Sequence, residues 1–323
     1  MSGLVVGLGE AMLRLSAPGH ERLGQARELQ VEVGGAELNA LIAARAWGAR
    51  ARWVTCQADN PLGRRVAAHA RANGVEPLVT WDADARTALY FVEHGAAPRP
   101  TQVLYDRSGS GMGRLGADGF DWDAALDGAA AALTSGITCG IGPGAAAGAR
   151  GLLAAARAAG VRTFFDVNHR ARQWTWEQAA PVLRAALPDV DVLLAGGHDL
   201  ARLLGEEGDP VALARAAIAA HGHAAVVLRE TAHEGEQVAV TVTAVTADEV
   251  LAGRPYTARV VDGFGGGDAA LGALVARLLA GDALAAAADH AARACALQHT
   301  FRGDAWVGRP DDLSLDGERR ILR

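Results

Sequence analysis

The run Gly265-Gly266-Gly267-Asp268 holds the residue types that suit transfer of an anionic group. It follows a short apolar segment and opens a helical run over 269–280, so successive backbone N–H groups can converge where unsatisfied donors and the positive end of the helix dipole favour an anion. Asp268, in the first turn beside that anion, stands where it could take a proton from an attacking hydroxyl. The same spacing also fits an Asp that only caps the helix. Asp262, earlier in the run at a strand end, could hold the loop, start a turn before Gly263 or help place Mg²⁺ through water. Gly34-Gly35-Ala36-Glu37-Leu38-Asn39 is a second strand-to-helix passage, either a close backbone approach to a ligand or a tight turn. Tyr105 and Arg107 are two apart, as are Asn168 and Arg170, so each pair is expected on one face of a strand. Two Arg side chains on one cleft suit a carboxylate or a phosphate, although each alone also fits a solvated surface.

The elements that must hold these groups alternate. Short Val/Leu-rich runs at 4–8, 52–56, 131–135, 163–167, 190–194 and 224–228 predict strands, and Ala-rich stretches at 37–47, 62–73, 145–159, 176–186 and 211–221 predict helices. That rhythm predicts an α/β fold with a mostly parallel sheet covered by helices on both faces. Asn60-Pro61 and Asp209-Pro210 each put a capping side chain before a Pro at the first helical position. The segments 13–33 and 87–110 break the rhythm and predict a small antiparallel sheet projecting as a lid. No linker divides residues 1–323, so a single domain is expected.

Composition excludes several classes. The 323 residues are 50% hydrophobic and 21% charged, with a net charge of -6 and no long basic block, which argues against disorder, a membrane span and nucleic-acid binding. Lys is absent from the sequence, which removes a Walker-type P-loop and Schiff-base chemistry. Cys56, Cys139 and Cys295 are too few and too far apart for a zinc knuckle or a disulfide framework and read as buried thiols. Residues 1–10 carry no basic leader or cleavage site, so a cytoplasmic location is expected. Gly7 and Gly9 imitate a dinucleotide fingerprint without its third Gly, and the Ser108-Gly109-Ser110 stretch lacks the strand-to-helix context of a hydrolase elbow. His169 and His299 read as ordinary histidines, and Trp174 and Trp176 as packing anchors.

Taken together, Val261-Asp262-Gly263-Phe264-Gly265-Gly266-Gly267-Asp268-Ala269 resembles the C-terminal signature of the ribokinase-like (pfkB) carbohydrate kinases, and the segment 34–39 resembles their N-terminal one. The wording Ala36-Glu37-Leu38-Asn39, the stretch Asp166-Val167-Asn168-His169-Arg170 and the stretch 298–304 are most similar to the 2-keto-3-deoxygluconate kinases. The resemblance implies a ribokinase-like three-layer α/β/α domain with a β lid, ATP and Mg²⁺, and homo-oligomers built through the lid. It implies that Gly34, Tyr90, Tyr105, Arg107, Arg170 and Asp304 hold a sugar acid. Gly265, Gly266 and Gly267 would form the anion hole, with Asp268 as catalytic base. Asn168, Arg170, Asp262, Gly265 and Gly267 would face the nucleotide. Near the metal the family's Asn-x-x-Glu appears as Gly196-Gly197-His198-Asp199, leaving Asp199 as the metal-side carboxylate. Arg229-Glu230-Thr231-Ala232-His233-Glu234-Gly235 stands for a Lys-x-Gly-x-x-Gly turn, and His169 for a common Tyr.

The implied reaction is phosphorylation of 2-keto-3-deoxygluconate at its 6-hydroxyl. The rivals are a kinase of fructose or a related keto-deoxy acid, a non-catalytic sugar sensor and a nicotinamide-dependent oxidoreductase.

Overall fold

A computed structural model describes residues 3–116, 119–309 and 312. The strands in chain order are β1 (Leu4–Leu8), β2 (Met12–Ser16), β3 (Gln30–Gly34), β4 (Arg50–Ala58), β5 (Glu76–Asp82), β6 (Leu89–Glu93) and β7 (Gln102–Asp106). They continue with β8 (Ala129–Ser135), β9 (Arg162–Asp166), β10 (Val192–Ala195), β11 (Ala225–Glu234), β12 (Gln237–Val245), β13 (Val250–Leu251) and β14 (Tyr256–Arg259).

The main sheet runs β13-β12-β11-β10-β9-β8-β1-β4-β5, with β14 also pairing β12. It is parallel from β5 to β11 and antiparallel beyond. Its apolar strands are buried on both faces, and neighbouring residues divide accordingly. Val5, Phe164 and Leu194 enter one core; Val6, Phe165 and Leu193 enter the other. Helices Ala36–Ala46, Gly266–Leu279 and Leu284–Gln298 pack on the first face. Pro143–Ala158, Trp176–Arg184, Gly197–Leu204 and Pro210–His221 pack on the second. This is the expected three-layer α/β/α arrangement. Asn60 Oδ1 accepts from the amides of Leu62 and Gly63, and Asp209 from that of Ala212, so both expected caps form.

The second sheet has the order β3-β2-β6-β7. It consists of two antiparallel pairs, β2/β3 and β6/β7, joined by a parallel pairing of β2 with β6. Three expectations about strands need correction. Strand β11 runs on past residue 228 to Glu234 and forms a hairpin with β12; its outer half is polar and mostly exposed, so no apolar run marks it, and it is held by ladder pairing with β12. Strand β9 ends at Asp166 and Asn168 has φ 35°, so Asn168 and Arg170 lie in a loop rather than on one strand face. Likewise β7 ends at Asp106, one residue before Arg107.

Strand β1 has β4 on one side and β8 on the other, so the order in which strands are added reverses there, and the crevice at the carboxyl ends of the strands lies at this point. Above it, helices Ala36–Ala46 and Gly266–Leu279 approach closely because of small residues. A Cβ at Gly272 would lie 2.2 Å from the Ala40 carbonyl oxygen and 2.6 Å from the Ala43 Cβ. Gly272→Val must push the two helices apart. It is expected to lower stability by about 1–3 kcal/mol in urea titration, and to lower kcat in the fraction that folds.

Candidate active site

The crevice is a cavity of about 560 Å³ at whose floor Gly265, Gly266, Gly267 and Asp268 meet Gly34 and Asn39. Gly265 is the N-cap of helix Gly266–Leu279 at φ 76°, a left-handed conformation that disfavours a side chain, and a Cβ there would lie 2.0 Å from the Asp304 carbonyl oxygen. The helix therefore begins with bare, inward-facing amides, a ready anion cradle. Asp268 does not cap it, since the helix has no side-chain cap. Instead Asp268 Oδ2 accepts from Asn39 Nδ2 at 2.8 Å across the Gly272 contact. Burial pushes the Asp268 carboxyl up from 3.8 to about 7, with the Asn39 hydrogen bond and the Arg170 charge opposing the shift. A carboxyl of that affinity is suited to accept a proton near neutral pH.

Arg14, on β2, is 1% exposed and went unremarked in the sequence. Its Nη1 donates to Asp304 Oδ1 at 2.5 Å, its Nη2 to Asp262 Oδ2 at 2.7 Å and its Nε to Ser16 Oγ at 2.9 Å. The guanidinium also lies 4.6 Å from the Phe264 ring centre. Burial works against its charge, but Asp304, Asp262 and Tyr90 outweigh it and hold Arg14 firmly cationic. Asp262, whose Oδ2 also accepts from the Gly303 amide at 3.0 Å, is thus a fastener of the glycine loop. It does not line the cavity.

The residues expected around a sugar acid converge. Tyr90 donates to Asp304 Oδ2 at 2.6 Å and pairs across strands with Tyr105, ring centres 6.0 Å apart. A Cβ at Gly34 would lie 2.1 Å from the Tyr90 hydroxyl and 2.7 Å from Asp304 Oδ2, so a side chain there would break that hydrogen bond. Arg107 Nη2 and Nε donate to Glu10 Oε2 at 2.7 and 3.1 Å. The Arg170 guanidinium, exposed on the cavity wall, has no hydrogen bond or ion pair among the described residues.

Asn168, Arg229, Thr231 and His233 also line the cavity. A Cβ at Gly267 would lie 3.1 Å from Arg229 Nη2, so this cation borders the anion cradle. Burial opposes the Arg229 charge, yet Cys295, Asp166 and Asp268 together raise its pKa. Arg229 and Asp166 complete the charge pattern. The first was visible only as a basic residue in a Gly-poor turn, and the second only as part of a motif. Asp199 lies outside the cavity lining, its carboxyl pushed up by burial against the pull of His169 and His198. Among the described residues no group of three or more His, Cys, Asp or Glu could hold a metal ion. His169 bonds the Trp174 carbonyl and stacks on Trp176 with ring centres 4.0 Å apart, and it also lines the cavity.

The pattern typical of the pfkB family carbohydrate kinases matches residues 2–305. The chain belongs to that family. It is 37% identical to the 2-dehydro-3-deoxygalactonokinase of Haloferax volcanii over 323 residues, covering 100% of this chain and 98% of the relative. To the 2-dehydro-3-deoxygluconokinase of Thermoproteus tenax it is 32% identical over 208 residues, 62% of each protein. The crystal structure of the Thermotoga maritima 2-dehydro-3-deoxygluconokinase superposes with a TM-score of 0.92 at 32% identity, over 97% of this chain and 98% of that one. A ribokinase II candidate from E. coli, solved in complex with ATP and Mg²⁺, shares the fold at 19% identity, with a TM-score of 0.83 over 97% of this chain and 98% of that one.

The protein is thus a sugar kinase with the ribokinase-like fold, and no helix among its described residues is long and apolar enough to cross a membrane. For a kinase the Asp268 environment has two consequences. As the proposed base, Asp268 would accept the proton in its ionised form, so kcat/KM is expected to fall about tenfold per pH unit below about 7 and to level off above it. The fold binds this proton more tightly than the unfolded chain. Its contribution to stability is therefore complete below the ordinary Asp range and is lost as pH rises through about 7. Asp268→Asn is expected to cut kcat about a thousandfold, while its melting temperature relative to the parent rises between pH 5 and pH 8.

Proposed function

We propose that this kinase transfers the γ-phosphoryl group of ATP to the 6-hydroxyl of 2-keto-3-deoxygluconate, giving the 6-phosphate and ADP. The observation that carries the substrate class is the pair of guanidinium groups, Arg107 and Arg170, on the same cavity as Asp268. A sugar acid supplies a carboxylate for them and a neutral ketose does not. The names of the full-length relatives agree with this class. Gly34, Tyr90, Tyr105 and Asp304 would shape the sugar side, with both Asp304 oxygens already engaged by Arg14 and Tyr90.

Asp268 would take the hydroxyl proton as the oxygen forms its bond to the γ-phosphorus and the bond to the ADP oxygen breaks. The amides of Gly265, Gly266 and Gly267 would hold the charge on the transferring group. Asn168, Arg229 and the β11 hairpin would border the nucleotide. The donor set suits Mg²⁺ held mainly by phosphates and water, with Asp166 or Asp199 as an outer carboxylate, because Mg²⁺ keeps much of its hydration. When bound, Mg²⁺ neutralises charge on the β- and γ-phosphates.

The small sheet, 13–33 with 87–110, would act as a lid over one domain spanning the chain. Arg172, in the loop after β9, donates to the Val103 carbonyl on its edge strand β7, a contact that closure would use. Leu29, Val31 and Leu104 are exposed on the segments of this sheet and would suit assembly with a second copy. A cytoplasmic location, with ATP at hand, goes with this reading.

The 37% likeness to the Haloferax galactonokinase favours a second reading, the galactonate-derived epimer. An ADP-release assay with Mg²⁺ and ATP against both keto-deoxy acids, fructose and ribose tests the proposal. Turnover of the gluconate-derived acid at least tenfold above the others is expected. Preference for the epimer moves the assignment to the second reading, and preference for fructose or ribose overturns the sugar-acid class.

A further inference from the structure

The ion pair between Glu10 and Arg107 lies on the sugar side of the cavity, and nothing in phosphoryl transfer explains it. Glu10 stands in the loop between β1 and β2, just beyond the carboxyl end of a central strand, and is 4% exposed. Its Oε2 accepts from both Nε and Nη2 of Arg107, while its Oε1 is buried and has no hydrogen-bond partner. Arg107 has no other hydrogen bond or ion pair among the described residues. Its guanidinium lies 5.9 Å from the Tyr105 ring centre.

A guanidinium offers a carboxylate two bidentate edges, Nε with Nη2 and Nη1 with Nη2. Glu10 occupies the first and leaves the second free. We propose that Glu10 is the positioning residue of the sugar-acid subsite, holding Arg107 by its Nε edge so that the Nη1/Nη2 edge meets the substrate carboxylate. This rests on reading the substrate as a sugar acid. A burial this deep, with one carboxylate oxygen unpaired, is costly and does little for the fold that an apolar residue would not do. The gain is direction: a long, flexible side chain arrives already ordered, so less freedom is lost when the ligand binds. Glu10 also offsets the Arg107 charge. The net positive charge that draws the acid then falls to Arg170, while Arg107 contributes oriented hydrogen bonds.

Steady-state kinetics with 2-keto-3-deoxygluconate and ATP test this on Glu10→Ala, Glu10→Gln, Glu10→Asp, Arg107→Leu and the double variant Glu10→Ala/Arg107→Leu. Glu10→Ala is expected to raise KM for the acid about tenfold, with kcat and KM for ATP within about twofold. Glu10→Gln, whose amide oxygen can accept the same pair, should restore KM to within about threefold of the parent. Glu10→Asp, which keeps the charge but withdraws the oxygen by one methylene, should raise KM with an unchanged melting temperature. That variant carries the test if the Ala variant does not fold. In the Arg107→Leu background Glu10→Ala should add less than about a twofold change, because its effect passes through that side chain.

Additive effects in the double variant, or a KM for the acid that none of the Glu10 variants moves, overturn the role of Glu10. If Arg107→Leu itself leaves that KM unchanged in an active enzyme, the sugar-acid reading of Arg107 falls first and the role of Glu10 with it.

Discussion

A single buried guanidinium ties the small sheet of this kinase to the loops on either side of its last two helices. Arg14 belongs to the small sheet, yet its two terminal nitrogens are bonded to Asp262, before the glycine loop, and Asp304, after the last helix. Three segments that the chain brings from far apart are thus held at one point. The arrangement is unforgiving. Two carboxylates are held in a dry interior with the cation between them, and removing one partner of such a cluster is far more damaging than replacing the whole of it. Phe264 against the face of Arg14 and the Gly303 amide on Asp262 fix the loop further.

The chemistry follows from what that fastening leaves exposed. With Asp262 turned toward Arg14, the glycine loop presents its amides to the cavity and starts a helix whose third residue is Asp268. The helix packs on Ala36–Ala46 through contacts that allow nothing larger than Gly at position 272, and this closeness lets Asn39 reach Asp268. One hydrogen bond and deep burial then leave the carboxyl close to neutral affinity. Gly34 completes the floor by leaving room for the Tyr90 to Asp304 hydrogen bond. The Asp268 carboxyl, the glycine cradle and the Tyr90–Asp304 pair are consequences of one packed junction, so loosening it at any point is felt at all three.

Much of this was legible in the sequence, and what was not has physical reasons. Continuous apolar runs located the parallel strands because both faces are buried, and caps such as Asn60 and Asp209 act on their own neighbours. The cradle and its Asp were visible because glycine, helix start and acid are adjacent in sequence. Arg14 was not, since its partners lie 248 and 290 residues away and its strand reads as ordinary apolar alternation. The outer half of β11 was hidden by its polar, exposed composition, and the bend at Asn168 by a positive φ that no glycine announces. Whether Asp268 caps its helix or faces the cavity was open at the level of spacing. It is decided by Asn39, a contact between two helices.

The dependence of the site on Arg14 is open to direct measurement by amide hydrogen exchange on the Arg14→Lys variant. Lys keeps the charge but cannot span two carboxylates as a planar guanidinium does. If the junction is the fastening described, amides of β2, β6 and the loop 262–267 lose protection together while β1, β8 and β9 keep theirs. Unchanged protection in that loop, with any loss confined to β2, would contradict it.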